Sequence, residues 1–232
     1  MKQINTIFLC LGDSLTAGFP GYDPSDDGIS EGYGNKQSQY EYWLKSLCLE
    51  HFQKKFGLLN ENIINNLMFV NRGILGELTS DLLRRVNYEI LKTKPKPNYT
   101  IIIEGTNDLG WGIPIEEIFS NIKELHEISR EFDITSIGAT IPPIVVETSS
   151  PSYNRKKVEL NKKLVEFFNK NSILFADLYN GMMDKNGNLK NECAINDGLH
   201  FSVEGYKQMG TVIFQDALEK IIEKGIEEKK GI

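Results

Sequence analysis

The chain has 232 residues, of which 40% are hydrophobic and 25% charged, and its formal net charge is -6. That length can bury one full core, and the composition is that of a soluble globular domain. The negative balance argues against a large nucleic-acid footprint, and lysines beside Glu on predicted helices read as solvated faces.

Apolar, β-rich runs alternate with stretches of helical periodicity. Residues Ile4 to Leu11 form a first predicted strand, ending at Gly12-Asp13-Ser14-Leu15. A segment rich in Gly, Asp and Ser, Phe19 to Gln37, follows directly. It reads as a structureless loop, either a lid or a surface insertion. Its Asp23, Asp26, Asp27 and Glu31 lack the spacing of a calcium loop. Next come a helix over Tyr40 to Phe56, a strand over Leu67 to Val70 and a helix over Thr79 to Leu91. Thr79 and Ser80 before Asp81 supply an N-cap signal for that helix. The prolines of Lys92 to Pro97 mark a loop leading to a strand over Tyr99 to Ile103. A helix over Ile115 to Glu131, a strand over Ile134 to Ala139, a helix over Tyr153 to Asn169 and a strand over Ile173 to Asp177 continue the alternation. Ser202-Val203-Glu204 caps a final helix from Val203 to about Lys224, and Gly225 to Ile232 reads as a frayed tail. Five strands with intervening helices imply right-handed βαβ units and a parallel sheet covered on both faces, in a single domain over 1–232.

No apolar stretch is long enough to span a bilayer. Removing the first apolar run would delete the strand before Ser14, so a signal peptide is rejected. Cys10, Cys48 and Cys193 are far apart and show no metal-like spacing, which suits a reducing, cytoplasmic compartment.

In parallel α/β sheets the ligand site lies beyond the carboxyl ends of the strands. Ser14 follows the first strand, Asn71-Arg72-Gly73-Ile74-Leu75-Gly76 the second, and Gly105-Thr106-Asn107-Asp108 the third. Asp197-Gly198-Leu199-His200 precedes the final helix. All four segments therefore belong at one edge of the sheet. In a short turn a carboxylate at Asp197 can accept the Nδ1–H of His200, leaving Nε2 to take the Ser14 proton. An ordinary imidazole, with a pKa of roughly 6.5, is mostly neutral and hence basic near neutral pH. The Gly76 amide and the Asn107 side chain can join the Ser14 N–H as oxyanion donors. Asp13 reads as a loop-stabilising acceptor, since adjacent side chains on a turn diverge, and Asp108 reads similarly. Arg72 and Glu77 read as a surface pair.

These four blocks, in this order and covering nearly the whole chain, resemble those of the SGNH/GDSL hydrolase family. The resemblance implies a flavodoxin-like three-layer α/β/α fold with a five-stranded parallel sheet. It also implies a serine hydrolase that needs no cofactor or metal and forms an acyl-enzyme. Ser14 is then the nucleophile, His200 the base, Asp197 its partner, and Ser14, Gly76 and Asn107 the oxyanion hole. Two departures stand out. Phe201 occupies the place where the family commonly has proline, and the 19–37 insertion is longer than in compact members.

The substrate wall is expected from Trp111, between two glycines, from Ile144 after the Pro142-Pro143 pair, and from Phe201. The expected substrate is a small-molecule ester with a short-to-medium acyl chain. A carbohydrate acetylesterase and a lysophospholipase or acyl-thioesterase are the alternatives within this chemistry. A catalytically inactive binding module is the alternative outside it.

Overall fold

The computed structural model describes residues 6–23, 32–57, 66–145 and 151–223. Its five-stranded parallel sheet comprises β1 (Thr6–Gly12), β2 (Leu67–Gly73), β3 (Tyr99–Ile103), β4 (Thr135–Ala139) and β5 (Phe175–Ala176). The spatial order is β2-β1-β3-β4-β5, a doubly wound arrangement whose order reverses at β1. The main helices are α1 (Ser14–Ala17), α2 (Tyr40–Phe56), α3 (Thr79–Lys92), α4 (Thr106–Trp111), α5 (Ile115–Glu131), α6 (Pro151–Lys170), α7 (Leu178–Met182) and α8 (Val203–Ile213).

β1 has helices on both faces, so its apolar residues divide by parity. Phe8 and Cys10 pack with Tyr40, Leu44 and Cys48 of α2 and with Tyr206 and Met209 of α8. Leu9 and Leu11 pack with Leu82, Val86 and Ile90 of α3 and with Leu125 of α5. The Phe8 ring lies between those of Phe69 and Tyr99, its registered partners on β2 and β3, with centroids 4.8 Å away on each side. A third cluster joins Leu109, Ile118 and Ile122 to Leu160, Leu164 and Phe168 of α6. The three cysteines are free and buried. No described helix is long and apolar enough to cross a membrane.

The structure departs from sequence expectation at several elements. The 19–37 insertion holds a two-residue antiparallel ladder, Tyr22–Asp23 against Tyr33–Gly34, and a 3-10 turn at Lys36–Ser38. Its expected acidic residues Asp26, Asp27 and Glu31, like the 225–232 tail, lie outside the described residues. α3 is capped one residue earlier than expected, at Leu78. The Thr79 N–H is taken by the Asp108 carboxylate at 3.0 Å, reaching across from α4. The final helix contains a π turn at Phe214–Leu218, and there Asp216 accepts the Asp177 N–H at 2.9 Å.

Candidate active site

Ser14 opens α1 at the carboxyl end of β1. Asp13 caps that turn by accepting the Leu15 N–H at 2.9 Å. Gly12 allows the turn to sit close to β3, because a Cβ there would lie 2.1 Å from the Ile103 carbonyl oxygen. The turn is thus locked against its neighbouring strand before any side-chain chemistry begins.

Ser14 Oγ lies 2.9 Å from His200 Nε2. His200 Nδ1 lies 2.7 Å from Asp197 Oδ2, while Asp197 Oδ1 accepts the backbone N–H groups of Leu199 and His200 at 2.9 Å each. Burial pushes the Asp197 carboxyl up. The hydrogen bonds from the His200 ring and from these two amides outweigh it and hold the group below its ordinary value of 3.8. Ser14, His200 and Asp197 therefore form one continuous hydrogen-bonded chain. With the ring proton on Nδ1, the Nε2 lone pair faces the serine hydroxyl.

Two further groups converge on the same edge. Gly76 sits in an exposed loop at φ +72°, a left-handed conformation that favours glycine. Its N–H has no acceptor among the described residues. Asn107 Nδ2 donates to the Glu77 carbonyl at 2.9 Å, which sets the start of α4 against the Gly76 loop. A serine beside a carboxylate-oriented imidazole, with amide donors at the same sheet edge, is an arrangement that can activate a nucleophile.

Residues 10–208 match the model of the GDSL-like lipase/acylhydrolase family. The chain belongs to that family. It is 25% identical over 235 residues to an isoamyl acetate-hydrolyzing esterase of Saccharomyces cerevisiae, covering 93% of this chain and 85% of that one. It is 36% identical over 100 residues to an N-acylneuraminate cytidylyltransferase of Streptococcus agalactiae serotype III; the match covers 43% of this chain and spans only 23% of that protein's length. Among solved structures, a lipase/acylhydrolase of Enterococcus faecalis superposes with a TM-score of 0.67 at 26% identity, covering 94% of this chain and 96% of that one.

The residues expected to line the hydrolase's substrate wall separate in the structure. Trp111 stands 78% exposed at the end of α4, one helical turn beyond Asn107. Ile144 is largely buried, and its carbonyl accepts the Leu189 N–H. Phe201 overturns its expected place: it is 1% exposed and packs with Tyr206 in the core, ring centroids 5.5 Å apart. The reason is its bridge to Ala194, which turns the side chain away from the adjacent His200.

Arg72 and Glu77 do not form a surface pair. Glu77 is buried and held by Arg85, whose Nε donates to it at 2.6 Å, and Arg72 Nε lies 3.0 Å from Glu89. The four side chains form a half-enclosed ion network behind the Gly76 loop. Asp13, Glu104 and Asp108 are also buried nearby. Burial pushes the Asp13 carboxyl up to about 7, opposed by the Leu15 N–H and reinforced by the charges of Glu77 and Asp108. Burial beside Asp13 raises the Glu104 carboxyl far above its ordinary range.

Sequence reasoning missed Phe19, whose ring meets the His200 ring at a centroid distance of 5.0 Å. Among the described residues, His51, Glu219 and Glu223 are the one group with metal-ligand proximity. They lie on α2 and the helix after the π turn and are already engaged with one another and with Lys55.

Proposed function

We propose that this hydrolase cleaves short-chain carboxylic esters by an acyl-enzyme route, with Ser14 as nucleophile, His200 as general base and acid, and Asp197 as its orienting partner. The observation that carries this reading is the unbroken relay from Asp197 Oδ2 through both ring nitrogens of His200 to Ser14 Oγ. As Ser14 Oγ attacks the ester carbonyl carbon, its proton passes to Nε2, and the carbonyl π pair becomes the oxyanion. The imidazolium that forms is stabilised by Asp197. The oxyanion is held by the Ser14 and Gly76 N–H groups and the Asn107 amide. Collapse breaks the bond to the leaving alcohol, which takes the proton from Nε2. Water then repeats the sequence on the acyl-serine, releasing the carboxylic acid and restoring Ser14 Oγ–H.

Acetyl and similarly short acyl groups are the favoured substrates. Supporting this is the relative named for isoamyl acetate hydrolysis, whose match covers 93% of the chain. Carbohydrate acetyl esters are a second reading, favoured by Trp111: an exposed indole beside the site offers an apolar plane against which a sugar ring can pack.

Turnover of p-nitrophenyl esters tests the reading. Ser14→Ala should abolish hydrolysis of the acetate and labelling by a fluorophosphonate while the protein stays folded. Near-parental turnover in that variant would end the assignment. A rate that rises from acetyl to octanoyl would overturn the short-chain preference. Acetylated sugars, compared between the parent and Trp111→Ala, separate the second reading: an equal loss on p-nitrophenyl acetate would remove its basis.

A further inference from the structure

Two of the three ways an imidazole can be held in place are already filled. Asp197 holds Nδ1 and Ser14 meets Nε2, but both contacts sit at the ring nitrogens and leave the faces and carbon edge of the ring to other neighbours. Phe19 supplies an aromatic contact at that point. Its ring meets the His200 ring at 72° with centroids 5.0 Å apart, within the range of favourable edge-to-face pairs.

What distinguishes Phe19 from a casual neighbour is its backbone. Its N–H donates to the Ser14 carbonyl at 3.1 Å, so it is tied to the nucleophile turn itself. Its carbonyl accepts the Tyr206 hydroxyl at 2.8 Å, so it is also tied to α8, the helix entered directly after His200. Tyr206 is buried and rests against Phe201, the residue that follows His200. One residue thus bridges the Ser14 side and the His200 side of the site and places a ring on the base. The chain makes this bridge at the first residue of the 19–37 insertion.

We propose that Phe19 is a positioning residue for the reaction: it holds the His200 ring in the tilt at which Nε2 faces Ser14 Oγ, and it couples the insertion that follows it to the base. The proposal rests on the roles given above to Ser14 and His200. The contact acts on the proton transfer rather than on the ester, so its loss lowers kcat and leaves KM for a small ester nearly unchanged.

Steady-state kinetics on p-nitrophenyl acetate provide the test. Phe19→Leu keeps an apolar side chain without a ring and should lower kcat roughly three- to tenfold, the range that an aromatic pair supplies, with KM within about twofold. Phe19→Tyr retains the ring and should restore kcat to within about twofold of the parent. If Phe19→Leu matches the parent while Ser14→Ala is inactive, the positioning role is wrong and the mechanism stands. If Ser14→Ala is as active as the parent, the mechanism itself has failed. Loss of kcat in Phe19→Leu and Phe19→Tyr alike would also overturn the role of the ring. A second measurement needs no variant of Phe19 to fold. The parent's His200 ring protons, assigned by their disappearance in His200→Ala, should show nuclear Overhauser contacts to the Phe19 ring, and their absence would overturn the proposal.

Discussion

The Gly12 carbonyl accepts the Ile74 N–H at 3.0 Å, so the loop bearing Gly76 hangs from the end of the strand that presents Ser14. One backbone bond therefore couples two of the three proposed oxyanion donors. Asn107 joins them from α4 through its 2.9 Å bond to the Glu77 carbonyl, next to Gly76. Such donors act on charge that develops during the reaction, and a fixed frame spares the cost of orienting them at that moment.

Asn107→Ala should lower kcat on p-nitrophenyl acetate by about 10²–10³-fold, corresponding to about 2.7–4 kcal/mol of lost transition-state stabilisation. KM should change little, because the ground-state carbonyl carries less charge than the oxyanion. The Glu77 carbonyl takes one of the two amide protons at 2.9 Å, and the Asp13 carboxylate meets the other only at a long 3.5 Å, a contact that a developing oxyanion can displace. An unchanged kcat in a folded variant removes Asn107 from the hole.

Asp197→Asn should reduce kcat by about 10³–10⁴-fold. The amide can keep an oxygen toward the Leu199 and His200 N–H groups, but its NH2 then faces Nδ1 and favours the tautomer with the proton on Nε2. That tautomer cannot accept from Ser14. The folded carboxyl is also held below its ordinary value, so its bonds contribute stability above the unfolded pKa and lose it as pH falls through the folded one. The difference in Tm between parent and variant should accordingly shrink as pH drops below about 4. A difference independent of pH would separate Asp197 from this linkage.

Glu41 is buried on α2, and burial pushes its carboxyl up from 4.5 to about 8. The folded protein then holds a proton that the unfolded chain has released, so stability falls as pH rises from 4.5 to 8. Glu41→Gln removes that term. Its stabilisation should be small at pH 4.5 and grow to about 1–4 kcal/mol by pH 8, read from urea unfolding at several pH values. A variant destabilised throughout would show that the carboxyl is satisfied in its ionised form.

The sequence made the sheet edge legible because three of the four functional blocks follow apolar runs that read as buried strands, while the fourth, Asp197 to His200, leads into the final helix. The bounds of α2 and α5 were also readable, since Gly57 closes one and Pro114 opens the other. Ser14, Asp197 and His200 carry their chemistry in local spacing that a turn must satisfy. Phe19 carries no such signal: its meaning lies in a contact with His200 across the fold. The inward turn of Phe201 depends on its bridge to Ala194, and the partners of Arg72 and Glu77 come from α3. Helical periodicity likewise does not register the π turn at Phe214–Leu218, whose Asp216 answers an N–H on the strand side.

Lys157 combines a stability cost with a positional benefit. It is 1% exposed, donates Nζ–H to the Pro142 carbonyl at 3.2 Å, and has the Tyr153 and Tyr179 rings 5.1 and 5.9 Å away. Burial pulls its pKa from 10.5 down to about 7. Between those values the unfolded chain binds a proton that the folded protein does not, so stability rises with pH across that window, and the penalty is complete below about 7. Lys157→Met keeps most of the stem volume and discards the charge. At pH 6 it should be more stable than the parent by about 1–3 kcal/mol, the burial term less the lost hydrogen bond and cation–π contacts. By pH 10.5 that advantage should vanish or reverse. Activity should move the other way. The loop held by Lys157 continues to Val145, whose N–H donates to the Gly198 carbonyl at 2.9 Å inside the Asp197–His200 turn. Freed from Nζ, this loop should hold the turn less firmly and lower kcat a few-fold. Thermal unfolding at pH 6 and pH 10, with kcat on the same preparations, decides the matter: a less stable variant at pH 6 would mean that the buried charge carries no net penalty.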